Sequence, residues 1–257
     1  RSTLPIGGTG LSSSTALTCA ALLLYGAEGA PLELAQIARR AEIDATGVEI
    51  GLMDQAACLA CTPDHALLMD CGDLSISHIP VPASMEVLVV HSGQARQLAD
   101  SAYNDRRRAC ADIEAIVGPL RQADLAVLDR LDDPTHRKRA RHVITENQRV
   151  RDMVEAFAAD DPAAAGRILA DGHASLAEDY EVSIPLVDRL VERLSATDGV
   201  FGARMTGGGF GGSIIALCRP GTEIDVDTWW TRARPGGGAR IVTGLAADDS
   251  IVPPGAR

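Results

Sequence analysis

The feature that most restricts how this chain can fold is a short glycine-rich turn running straight into a helix. The segment reads Leu4-Pro5-Ile6-Gly7-Gly8-Thr9-Gly10-Leu11-Ser12-Ser13-Ser14-Thr15-Ala16. Glycines let backbone approach a ligand closely, and the serines after them are hydroxyl caps for an Ala/Leu-rich helix expected to end near Tyr25-Gly26. A helix start turns unpaired N–H groups and the positive end of its dipole outward, and these are the elements of a phosphate cradle. The lysine of G-x-x-x-x-G-K-[ST] is missing, so this is not a Walker A loop. A well-capped helix start with no ligand accounts for the same residues equally well.

A second glycine run, Gly207-Gly208-Gly209-Phe210-Gly211-Gly212, matches G-x-G-x-x-G at 207, 209 and 212. The next segment, Ser213-Ile214-Ile215-Ala216-Leu217-Cys218, reads as a strand, whereas a dinucleotide fold needs a helix there. That rules out the dinucleotide reading. A glycine hairpin edging an active site and a purely structural tight turn both stay open.

Between the two runs, Pro31 opens a helix with Leu34, Ile37, Ala38 and Ala41 on one face, and another helix starts near Met53. Strands are expected at 65–69, 74–79 and 85–91. Residues 95–158 read as charged helix, with further helices from Pro162 and Pro185. Later strands are expected at 199–205 and 213–218, then a loop at 235–238 and a last strand at 240–243. Helices and strands interleave without a repeating βα unit, so the fold class is α+β, with a domain boundary near Pro80–Ser84.

Charge narrows the function. With 35 acidic against 24 basic residues the net charge is −11, which argues against nucleic-acid or anionic-membrane partners. No apolar run reaches the roughly 18 residues needed to span a bilayer. The first residues lack a signal-peptide pattern, so a cytoplasmic location is expected. The six cysteines have no framework spacing. Cys58-Leu59-Ala60-Cys61 with His65 and Cys71 invites a zinc reading, but the apolar neighbours suit a buried helix turn with reduced thiols. Two carboxylates stand out. Glu42 is one, and Asp54 is the other, placed after Gly51-Leu52-Met53 where a helix start favours an anion. Phosphoryl transfer needs a carboxylate at the acceptor hydroxyl and hard oxygens for Mg²⁺. Either could equally be an ordinary surface carboxylate.

Taken together these segments resemble the GHMP family of small-molecule kinases and, within it, the galactokinase branch. Leu11-Ser12-Ser13-Ser14 is similar to the family's ATP-phosphate loop, and Gly51-Leu52-Met53-Asp54-Gln55 to the stretch with the catalytic aspartate. Residues 65–71, 101–107, Arg141-His142-Val143 with Glu146-Asn147, His173-Ala174-Ser175-Leu176 and 202–212 also match in order, from Leu4 to about Cys218. The resemblance implies two α+β domains, 1–83 as part of the ATP-binding domain and 84–257 as the C-terminal domain, with the active site in the cleft between them. It implies ATP and Mg²⁺ as cofactors and transfer of a phosphoryl group to a monosaccharide, galactose giving galactose 1-phosphate. Kinases for arabinose, N-acetylgalactosamine or a uronic acid are the alternative, and a non-catalytic sugar and ATP sensor is a third. Thr15-Ala16, the dipeptide after the serine run that such sensors lack, favours an enzyme, although Thr15 replaces the usual small residue.

The resemblance also assigns roles. Asp54 is the catalytic residue that orients or deprotonates the sugar hydroxyl. Gly7, Gly8, Gly10, Leu11, Ser12, Ser13 and Ser14 hold the phosphates, with Gly207, Gly208 and Gly209 closing over them. Gly51, Asp54 and Tyr103 contact the sugar, and Ser14 and Glu42 ligate the metal. Glu42 stands twelve residues before Asp54, at the galactokinase spacing. The first loop has one residue more between Pro5 and Leu11 than the usual pattern. The family's N-terminal motif, with an Arg near the aspartate and the residues that grip the sugar hydroxyls, has no counterpart here. The chain is therefore expected to be part of a longer protein, with a truncated gene as the alternative. Separately, a monomer or weak dimer is expected.

Overall fold

A computed structural model of the chain describes residues 9–95 and 99–242. It divides into two compact units. One holds the described residues up to Val81 together with those from Ala233 on, and the other runs Pro82–Arg232.

In the first unit, helices α1 (Ser13–Leu24), α2 (Pro31–Thr46) and α3 (Met53–Ala60) pack on one another. Proline at the first position starts α2, and Glu33 reaches back to the Ala30 amide at 3.0 Å, closing the helix end. Small residues set the packing. Ala35, Ala38 and Cys19 are fully buried among Leu34 and Leu59, so the helices meet with little side chain between them. Strands β1 (His65–Met69) and β2 (Ile76–Pro80) form an antiparallel hairpin from His65↔Pro80 to Met69↔Ile76. The second strand begins two residues later than the sequence suggests, because Leu74 sits at φ 62° in the turn, a conformation no strand continues.

The second unit is built on a four-stranded sheet of order β4-β5-β3-β6, from β3 (Glu86–His91), β4 (Val200–Met205), β5 (Ser213–Cys218) and β6 (Trp230–Ala233). Strand β5 pairs antiparallel with both β3 and β4. Alternate side chains serve two cores, as the two-residue repeat of a strand dictates. Leu88, Val90, Ile214, Ala216 and Met205 pack with Val187, Val191 and Leu194 of α7 (Pro185–Ser195). Met85, Val87, Ile215 and Leu217 pack with Ala165 and Leu169 of α6 (Pro162–Glu178). With both faces covered, these strands read as apolar runs without polar alternation.

Helices α4 (Ala99–Val117) and α5 (Pro134–Ala158) complete the unit, with short 3₁₀ turns at Leu120–Gln122 and Leu125–Arg130 between them. The expected helical stretch of 95–158 is thus interrupted. Asp133 and Asp161 accept from backbone N–H groups of α5 and α6 at 2.7 and 2.9 Å, each just before a proline that opens its helix.

Helix α6 meets β4 backbone to backbone. A Cβ on Gly166 would lie 2.1 Å from the Phe201 carbonyl oxygen, and one on Gly202 would lie 2.2 Å from that of Gly166. Only glycine at both positions permits this approach.

One expectation changes on the C-terminal side. The strand looked for at 240–243 is absent over the described residues 240–242, and the strand is Trp230–Ala233 instead, beside β3. Residues after it return to the first unit, where Asp64 donates to the Pro235 carbonyl, Gly238 to that of Cys61 and Ala239 to that of Cys58. The second unit ends at Arg232. Among the described residues no helix is long and apolar enough to cross a membrane.

Candidate active site

The first unit gathers the carboxylates around the serine-rich helix start. Gly10 and Ser12 both lie at positive φ, 72° and 51°, so the chain coils left-handed just before α1 begins. Ser12 occupies the capping position, yet its hydroxyl makes no bond to its own helix. It donates instead to Oδ2 of Asp54 at 2.5 Å. Asp54 lies in the first turn of α3, where the helix dipole favours a negative charge, and its side chain is exposed.

Beneath this pair lies a closed polar cluster. Glu42, on the last turns of α2 and only 8% exposed, accepts at Oε2 from Thr15 Oγ1 and from Gln55 Nε2, each at 3.0 Å. Gln55 Nε2 also lies 3.4 Å from Thr15 Oγ1. Thr15 and Gln55 are themselves buried, and Gln55 Oε1 has no hydrogen-bond partner. No Lys, Arg or His pairs with Glu42 among the described residues. Buried carboxylates are ordinarily paired with a cation or bind a metal, and the side-chain donors on Glu42 are both neutral. Cys19 lies near this cluster; burial first, then the neighbouring Cys58 thiol and the Glu42 charge, push its thiol up to about 12.

Within the first unit the structure brings some of the sequence-predicted residues together. Gly7 and Gly8 lie outside the described residues. Leu11, Ser12 and Ser13 are half-buried at the start of α1, and Ser14 is exposed on its first turn. Gly51 is exposed, with nothing near where a side chain would be. The family resemblance gives Ser14 and Glu42 as ligands of one metal ion, and the hydroxyl that bonds Glu42 directly belongs to the next residue, Thr15. Adjacent helix residues point about 100° apart, so Ser14 and Thr15 present their hydroxyls in different directions. Sequence reasoning misses the contribution of Thr15 and Gln55 to this cluster. The one available signal is a β-branched hydroxyl residue, Thr15, where a small residue is usual.

Tyr103 and the second glycine run belong to the other unit. Tyr103 is half-buried on α4. The glycine run links β4 to β5 and is tied down on both sides. Phe210 donates its amide to the Val182 carbonyl at 2.8 Å, and Gly212 to that of Gln94 at 3.0 Å. A Cβ on Gly209, at φ 89°, would lie 2.4 Å from the Val182 oxygen. Close backbone packing thus accounts for the glycine at 209.

Several segments matched in the sequence form a polar layer on the same unit. Glu146 receives Arg204 Nη1 at 2.6 Å and Arg149 Nε at 2.7 Å, and the two guanidinium groups hold its carboxyl below the usual range despite burial. His142 stacks on Tyr180 with ring centres 4.4 Å apart and shares a hydrogen bond with Ser175 Oγ at 3.0 Å. Cys58, Cys61, Cys71 and His65 do not assemble a metal site. Among the described residues no group of three or more His, Cys, Asp or Glu could hold an ion, and the six cysteines are free.

Comparison with known proteins places these features in a family. The profile of the GHMP kinases N terminal domain matches residues 1–61, and that of the GHMP kinases C terminal matches residues 153–226. The galactokinase of Chloroflexus aurantiacus is 41% identical over 224 residues, which is 82% of this chain and 57% of that protein. The chain thus spans little more than half the length of such relatives. The crystal structure of Lactococcus lactis galactokinase complexed with galactose superposes with a TM-score of 0.80 at 30% identity, over 91% of this chain and 68% of that one. The L. major mevalonate kinase structure shares the fold alone, with a TM-score of 0.54 at 17% identity over 82% of this chain and 56% of that one.

Proposed function

This chain belongs to the galactokinase branch of the GHMP kinase family, and on that premise we propose that the protein transfers the terminal phosphoryl group of ATP to the C1 hydroxyl of galactose. The observation that carries the reading is the meeting of two chain-distant segments, with Ser12 of the serine-rich turn 2.5 Å from the Asp54 carboxylate. That contact sets a group able to handle the acceptor proton beside a turn suited to phosphate. The galactose bound by the similar L. lactis enzyme supports galactose as the acceptor.

In this reading Asp54 orients the sugar hydroxyl and accepts its proton as the sugar oxygen bonds the γ-phosphorus of ATP and the bond from that phosphorus to the departing ADP breaks. The backbone amides between Gly7 and Ser14, with the start of α1, hold the phosphates. Glu42 and Ser14 would hold Mg²⁺, and the buried carboxylate without a cationic partner fits such an ion. When bound, Mg²⁺ neutralises the charge on the phosphate oxygens. Gly51 and Tyr103 contact the sugar, and Gly207, Gly208 and Gly209 close over the nucleotide phosphates. A net charge of −11 gives ATP no general attraction, so these local dipoles and the ion supply the positive field.

The test is ADP release by the protein with ATP and Mg²⁺ against a panel of galactose, arabinose, N-acetylgalactosamine and galacturonate. Galactose is expected to give the highest kcat/KM. A different preferred sugar would reassign the acceptor, and no turnover on any of them would refute the reading.

A further inference from the structure

Thr15 and Gln55 converge on one atom. From α1 and α3 they donate to the same oxygen of Glu42 on α2, both at 3.0 Å, and the three side chains are 4%, 0% and 8% exposed. Two neutral donors on one carboxylate oxygen fix the rotation of the carboxylate plane. Both bonds fall on Oε2, which leaves Oε1 for another partner. The Gln55 amide must face the carboxylate through its nitrogen, because its carbonyl would be repelled there. That orientation leaves Gln55 Oε1 buried and unpaired. Burying an unpaired carbonyl is costly, and a glutamine serving only to fill space has no reason to bear it.

We propose that Thr15 and Gln55 are positioning residues that present Oε1 of Glu42 to the divalent cation, so that the affinity for the ion depends on both. The inference rests on the reading of Glu42 as a metal ligand given above. It assigns a function to the threonine that stands where a small residue is usual. The hydroxyl that orients the ligand is Thr15, and the neighbouring Ser14 stays exposed for the ion or the phosphate.

The test is Mn²⁺ binding in the presence of ADP, monitored by electron paramagnetic resonance, alongside ADP binding in EDTA and thermal unfolding without metal. Thr15→Val keeps the side-chain shape and removes the donor. It should weaken Mn²⁺ binding by about tenfold while ADP binding in EDTA stays unchanged. Thr15→Ser, which keeps the hydroxyl, should restore the affinity. If Thr15→Val does not fold, Gln55→Met removes the other donor and should show the same loss. Lower thermal stability with unaltered Mn²⁺ affinity would overturn the positioning role and leave the kinase reading standing. Absence of ADP-dependent Mn²⁺ binding by the unmodified protein would overturn both.

Discussion

Ser12 donates its hydroxyl to Oδ2 of Asp54 at 2.5 Å, across 42 positions of sequence. Serine at a helix start ordinarily bonds the helix's own amides, a contribution of about 1 kcal/mol. Here Ser12 lies at φ 51°, an unusual conformation for a residue with a side chain, and its hydroxyl is turned to another helix. The amides at the start of α1 are thereby left without that cap, as a turn that receives an anionic ligand requires.

The first prediction concerns this pair. Asp54→Asn should lower kcat by roughly 10²- to 10⁴-fold, the usual contribution of a positioned proton acceptor, while ADP binding changes little. Ser12→Ala should cost less, because it removes a partner of the acid and not the acid itself. Steady-state kinetics with calorimetric ADP titration separates the two effects. Full turnover by Asp54→Asn would remove Asp54 from the proposed chemistry.

The crossing of α6 over β4 predicts a sharp intolerance. Alanine at Gly166 or Gly202 places its Cβ against backbone carbonyl, 2.1 or 2.2 Å away, where no rotamer change gives relief. Each substitution should destabilise the protein by about 1–3 kcal/mol or more. A drop of several degrees in the unfolding midpoint by calorimetry is expected, and Gly236→Ala, with open space around it, should be near neutral.

Stability should depend on pH through the buried imidazoles. Burial holds His142 at about 4 against an ordinary value of 6.5, and burial also lowers His91 and His173. Below the ordinary value the unfolded chain binds protons that the folded chain refuses, so stability falls with pH from 6.5 towards about 4. His142 alone contributes on the order of 3 kcal/mol across that window. Unfolding midpoints measured against pH should fall less steeply for His142→Phe, and an unchanged slope would contradict the burial argument.

Arg204 and Arg149 each hold one oxygen of Glu146. Arg204→Met should cost about 2 kcal/mol, below the usual loss for a fully buried pair because both side chains retain some exposure. A Glu146→Gln, Arg204→Met double-mutant cycle in denaturant should show a coupling that single substitutions away from this pair lack.

Much of the fold is legible from local pattern. Strands β1 and β5 and the start of α3 fall where apolar runs and the Met53 position put them, because β-branched runs and turn residues act over a few neighbours. The mixed fold and the rejection of a dinucleotide site after Gly212 rest on the strand at Ser213–Cys218. Strand β6 is not legible in this way. Trp230-Thr231-Arg232-Ala233 is short and polar, and β3 offers it the edge that makes it a strand.

The candidate site divides in the same way. Ser12, Glu42 and Asp54 are singled out by the family resemblance, and the sequence by itself determined the family and several helix starts. Only the tertiary structure decided that Thr15 bonds Glu42, that Gln55 shares that oxygen, and that Gly166 and Gly202 meet backbone to backbone. The physical reason is rotation. Each helix residue turns the next by about 100°, and which one faces inward is set by the helices packed against it.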